Sequence, residues 1–303
     1  MGFVKRTFDF IGKHILLIIP MFLASLIPQL LAYLVTGEFF TGVYMKLLDL
    51  VSKYIESISS SAPGWLDILN GIGKIISANY PKFGLMVAVM VATSVILNIF
   101  IVPGVYGAIN RGLSEEKIIA PGFAALFYKN TGKYVLFLLC NLLYWFFWTF
   151  AGILILVFVG AVALAIQSIA SFLLMLTAAF FIFAVIYLYL IIVLWYPAMA
   201  VEGLGIEQAL RKSLKITRKI LPLILLTYTG ALLLSNLVMA AFNGFSISDT
   251  GQEVASIFLS VLMAFFLMVY QMVIYKSFVN AEKQAYMKLI ELDEEEKRKK
   301  SEE

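Results

Sequence analysis

"YVLFLLCNLLYWFFWTFAGILILVFVGAVALAIQSIASFLLMLTAAFFIFAVIYLYLIIVLWYPAMAV", residues 134–201, contains no Asp, Glu, Lys or Arg. One crossing of a bilayer by an α-helix takes about 20 apolar residues, so this run is long enough for two. The rest of the chain agrees. Apolar residues make up 62% of the 303 and charged residues 14%, against roughly 45–50% and 25% in soluble domains. Mean hydropathy is +0.94. A soluble protein of this length could not bury that much apolar surface. The chain reads as an all-α polytopic membrane bundle.

Six spans follow from the apolar runs, at about 15–36, 83–109, 134–159, 170–196, 221–242 and 256–280. The first run is longer than the roughly 7–15 residues of a signal-peptide core, so it reads as a retained span. Pro20 and Pro28 fall inside it and should bend it. Pro103 and Pro197 lie near the ends of the second and fourth spans. Pro222 is expected to open the fifth, where a missing N–H costs little.

Positive charge sets the expected orientation. With six spans, the N-terminus, the loops 110–133 and 197–220 and the C-terminal tail share one side. That side carries 19 of the 23 Lys and Arg residues; the other carries Lys46, Lys53, Lys74 and Lys82. Both termini are therefore expected in the cytoplasm of a cell-membrane protein. The segment 37–82 is expected outside as a helical insertion of two short amphipathic pieces. Residues 281–303 read as a charged cytoplasmic tail.

On the basic side, "EGLGIEQALRKSLKITRKILP" (202–222) has a helical period. Ile206, Leu210, Leu214 and Leu221 share one face, with the small residues Ala209, Ser213 and Thr217 beside it. Arg211, Lys212, Lys215, Arg218 and Lys219 take the remaining arc. Such a helix is expected to lie in the interface over about 205–220. A weaker counterpart covers about 116–132. Three Lys-terminated elements introduce spans, ending at Lys13, Lys133 (after Lys129) and Lys219. The simplest architecture is three pseudo-repeated hairpins, each preceded by an interfacial helix.

The turn Pro197, Glu202, Gly203 followed by Ala209, Leu210, Ser213, Thr217 and Arg218 resembles the hallmark of a group of prokaryotic six-span membrane proteins of unknown function. That group is related to the membrane domain of glycerophosphodiester phosphodiesterases. "PGVYGAINRGLSEEK" is similar to the corresponding earlier turn, and the resemblance covers about 100–280. It implies a fold and no activity. The 23 residues after Asn280 are mostly charged, so no phosphodiesterase domain is expected there.

The chemistry of the side chains narrows the function classes. A single His (His14) and a single Cys (Cys140) offer no metal cluster and no intrachain disulfide. There is no phosphate-binding Gly-rich loop and no acidic group deep in a span. Catalytic residues, metals and cofactors are therefore not expected, nor is nucleic acid, because the cations flank apolar runs. The leading expectation is a non-enzymatic protein that organises or senses lipids or a membrane-protein partner. Its candidate contacts to anionic headgroups are Arg211, Lys212, Lys215, Arg218, Lys219, Lys129, Lys133 and Lys13. The alternative is a transporter or exporter of a small or amphipathic molecule, using the deep amides Asn98, Asn141, Asn236 and Gln271.

Overall fold

The computed structural model describes residues 2–37, 42, 71, 73, 74, 77, 80–114, 120–166, 170–244 and 249–302. Among the described residues there is no strand. The helices are α1 (Gly2–His14), α2 (Ile18–Thr36), α3 (Tyr80–Gly112), α4 (Ala120–Ala165), α5 (Ala170–Ile192), α6 (Trp195–Glu202), α7 (Ile206–Gly244) and α8 (Asp249–Glu302). Six helical segments are long and apolar enough to cross a membrane. They coincide with the six expected spans, and the chain is an integral, multi-pass helical membrane protein.

The helix ends depart from expectation, for a common reason. A helix stops only where its backbone hydrogen bonds find other partners, and a change from polar to apolar side chains does not supply them. The two amphipathic segments are therefore not separate helices. Residues 120–132 form the first turns of α4, and 206–220 the first turns of α7. Pro222 does not open a helix either; α7 runs through it. The tail likewise continues α8 to Glu302. Real breaks occur elsewhere. A 3₁₀ turn, Ile15–Leu17, separates α1 from α2. It immediately precedes Pro20, whose ring cannot accept a regular helical turn behind it. Pro197 sits just inside α6, after the break at Val193 and Leu194 that divides the fourth span. The helices expected within 37–82 lie largely outside the described residues.

The chain forms two compact units, one of residues 1–17 and 102–303, the other of 18–101. The smaller holds α2 and the first part of α3. Ile18, Ala24, Pro28 and Ala32 are its buried positions on α2. In the larger, α8 is the central helix. Half of its most apolar window is buried, against none of that of α4. Helix α1 packs on α8, α7 packs on α5, α6 and α8, and α4 packs on α5. One close approach explains a glycine. A Cβ at Gly152 of α4 would stand 3.0 Å from the Phe181 ring of α5. The aromatic run at 144–148 lies beside it, and Trp145 and Trp148 help line an apolar groove between these two helices.

The core of the larger unit is concentrated at one end of its spans. Val105, Ala108 and Ile109 of α3, Leu194, Ala198 and Met199 around α6, and Val269, Met272 and Ile274 of α8 are all at most 2% exposed. Away from that end, Leu142, Phe146, Val157, Phe183 and Leu237 are exposed. This is the pattern expected of helices whose outer faces are solvated by lipid.

Candidate functional site

The closed end is built from aromatic rings and hydroxyls contributed by five helical segments. Tyr196 stacks edge-on against Tyr106 and Tyr134, with centroids 4.8 and 5.0 Å away. Phe137 fits between Trp195 and Tyr196. The Trp195 indole N–H donates to the Ile206 carbonyl at 2.9 Å, anchoring the first turn of α7. Deeper in, the Tyr106 hydroxyl donates to Gln271 Oε1 at 2.8 Å, and Gln271 Nε2 donates to the Tyr228 hydroxyl at 2.5 Å. One amide thus ties α3, α7 and α8 together. The Thr227 and Tyr270 hydroxyls, 2.8 Å apart, add a second link between α7 and α8.

The turn at 202–203 closes this end. Gly203 adopts φ +71, the left-handed conformation that ends α6, and its N–H bonds back to the Met199 carbonyl at 3.1 Å. Glycine reaches that region without the Cβ penalty. Lys133 donates to the Gly203 carbonyl at 3.3 Å, placing a cation at the negative end of α6. Glu202 accepts from Tyr275 and from Lys212, and Lys212 also pairs with Glu282 at 3.0 Å. Lys212 precedes the apolar part of its helix. Desolvation opposes its charge, but hydrogen bonds and charge attraction from Glu202 and Glu282 outweigh that, so its pKa is raised. On α8, Lys276 donates to the Asn110 carbonyl at 2.9 Å and bonds Ser114, closing the end of α3.

These contacts revise the expected role of the 205–220 segment. Its most buried face is the small one: Ala209, Ser213 and Thr217 are each fully buried, together with Ile216. Ile206, Leu210, Leu214 and Leu221 are only half-buried. Small side chains allow α7 to approach α6 and α8 closely. The Ser213 and Thr217 hydroxyls have no hydrogen-bond partner among the described residues, so volume rather than polarity is what these positions supply.

The five cations of this segment separate accordingly. Lys212 is paired with Glu202 and Glu282. Arg211 pairs with Glu207 at 2.6 Å on the surface, as the i,i+4 spacing predicts. Both of those side chains are about three-quarters exposed or more, so the pair adds little stability. Lys215, Arg218 and Lys219 are exposed. Lys13 lines a cleft beside α1, Lys133 is used on Gly203, and the side chain of Lys129 lies outside the described residues.

The four deep amides do not form one polar cluster. Asn98 belongs to the smaller unit and donates to the Ser94 carbonyl of its own helix at 2.8 Å. Asn236 is exposed. Asn141 keeps a buried Oδ1 without a partner among the described residues. Gln271 alone joins helices. Glu202, Tyr275, Tyr106 and Tyr228 carry the connections, and the three tyrosines are not among the residues the sequence points to. Glu202 and Gly203 stood in the hallmark turn, but nothing in the spacing of the tyrosines marks them.

No protein-family model matches the chain, and no curated protein or solved structure matches it.

Proposed function

We propose that the protein is a non-enzymatic membrane protein that organises anionic lipid at its basic end. That end is the cytoplasmic one on this reading, since the 19 Lys and Arg residues flank the spans on this side. The observation that carries the proposal is the division of labour on α7. One face is consumed in packing and Lys212 in an internal ion pair. Lys215, Arg218 and Lys219 remain exposed directly before the apolar part of the same helix. A continuous helix fixes these cations relative to the apolar segment that follows them, which supports a meeting with headgroup phosphates. Each cation near an anionic surface contributes about 1 kcal/mol.

The transport alternative has less support. The amides it relied on are not joined to one another, and the best placed of them, Gln271, is occupied by two tyrosines. Resemblance to phosphodiesterase-linked membrane domains adds a fold expectation to this reading and no reaction.

Native mass spectrometry from mixed-lipid micelles tests the proposal. The triple variant Lys215→Gln, Arg218→Gln, Lys219→Gln is expected to bind anionic phospholipid about 100-fold more weakly than the parent, with zwitterionic lipid unaffected. Unchanged anionic retention contradicts it.

A further inference from the structure

A second basic feature lies away from the α7 cations. A cleft of about 400 Å³ opens between α1 and the middle of α8, and is closed at one side by Gly112 and Leu113 at the end of α3. Arg6, Lys13 and Lys276 line it, with Asp9 as the one carboxylate among the described lining residues and Ser277 and Asn280 as neutral polar groups. Phe10, 5% exposed, is an apolar part of its lining. The sequence shows why α1 presents this face. Arg6, Phe10 and Lys13 follow one another at i, i+4 and i+7, so they line one side of the helix. Thr7 and Ile11, also buried, lie beside that stripe.

Two of the three cations in the cleft have hydrogen-bond partners in the fold. Lys276 is held by the Asn110 carbonyl and by Ser114. Arg6 Nη1 donates to Ser277 Oγ at 3.4 Å. The Phe10 and His14 rings lie 4.6 Å apart and set the depth of the cleft. Arg6 and Lys13 against Asp9 leave an excess of positive charge among the described residues that line the cleft, and a concave surface focuses that field on an anion more than a flat one does. An apolar belt adjoins it. Phe8 is exposed on α1 and packs its ring 5.2 Å from Phe266, while Ile15 and Leu16 are exposed just beyond His14. A ligand with a charged head and apolar chains matches both parts.

We propose that this cleft is a binding site for a phosphate group, presented by an anionic phospholipid whose chains lie along the Phe8, Ile15 and Leu16 surface. Arg6 and Lys13 contact the phosphate oxygens. Lys276 supplies fixed positive charge behind them, and Asp9 accepts a hydrogen bond from the remainder of the headgroup. The inference extends the reading of this end as a surface for anionic lipid, and rests on it for the side of the membrane concerned, but uses different residues.

Protein with Arg6→Gln and Lys13→Gln is purified beside the parent and the α7 triple variant. The phosphatidylglycerol that survives delipidation is counted by native mass spectrometry. The cleft variant is expected to bind its last retained lipid about 10–30-fold more weakly, whereas the α7 variant keeps that lipid and loses only the weaker population. The charge-preserving pair Arg6→Lys and Lys13→Arg is expected to retain it, which separates charge from folding. Competition assigns the source of the phosphate. Displacement by phosphatidic acid or phosphatidylglycerol, and not by millimolar inorganic phosphate or glycerol phosphate, identifies a lipid. Displacement by the soluble anions keeps the phosphate site and removes the lipid chains from it. Undiminished retention in the cleft variant overturns the site even if the α7 variant behaves as expected. Loss in the cleft variant alone leaves the site standing and refutes the α7 reading.

Discussion

Replacing Gln271 by Leu should lower the stability of the detergent-solubilised protein by about 2–3 kcal/mol, the cost of stranding buried hydroxyls together with the loss of their bonds. Gln271 is the one residue that bonds both Tyr106 of α3 and Tyr228 of α7. Both tyrosines are under a tenth exposed, and water reaches such a site poorly. Single hydrogen bonds between membrane helices average only about 0.6 kcal/mol, because the separated helices find other partners. The larger expected figure comes from the asymmetry of removal. Leucine fills the volume but leaves the Tyr106 hydroxyl without its acceptor and Tyr228 without a donor. A second change decides between that account and simple loss of packing. Tyr106→Phe added to Gln271→Leu should cost less than Tyr106→Phe alone, with a coupling of about 1 kcal/mol. Strict additivity of the two substitutions in thermal unfolding would show that the amide and the hydroxyl do not act together.

Glu202→Ala is expected to have an effect of similar size, about 2–3 kcal/mol, and a revealing comparison. Its carboxylate takes the Tyr275 hydroxyl and the Lys212 ammonium. The side chains of Glu202 and Lys212 are each about three-quarters covered. Removing Glu202 strands the hydroxyl of Tyr275, a fully buried residue, and leaves Lys212 with Glu282 alone. Removing Lys212 leaves Glu202 hydrogen-bonded to Tyr275, so Lys212→Ala should cost about 1 kcal/mol. The order of the two effects is the test. Equal losses, or a larger one for Lys212, would mean that the ion pair rather than the Tyr275 bond holds the turn.

The apolar runs were legible because a bilayer imposes a length on them, and that length is visible in a single sequence. The charge-free stretch 134–201 required two spans, and α4 and α5 supply them. The boundaries were less legible. Lys133 and Lys219 marked a change in side-chain polarity, but α4 and α7 run through both positions as helix. Pro222 looked like a helix start because proline is favoured there, yet a helix already running from Ile206 tolerates it. The internal contacts were hidden for a different reason. Tyr106, Tyr228 and Gln271 lie on three spans, and no local period connects them. Lys212 looked the same as Lys215 on a helical wheel. Only the docking of α6 and α8 shows that one of them faces Glu202. Of the eight positions that carry the resemblance, Pro197, Ala209, Ser213 and Thr217 are buried and Glu202 and Gly203 form the turn after α6, while Leu210 is half-buried and Arg218 is exposed.

Headgroup contacts at this end depend on which side of the membrane it faces, so side-specific labelling of one position tests the account most directly. Lys219→Cys in a Cys140→Ala background leaves a single thiol on the exposed face of α7. A membrane-impermeant maleimide should fail to label it in intact cells and should label it readily in inverted vesicles. Labelling from outside intact cells, with inverted vesicles protected, would contradict the orientation and with it the proposed meeting of these cations with anionic lipid on the cytoplasmic side.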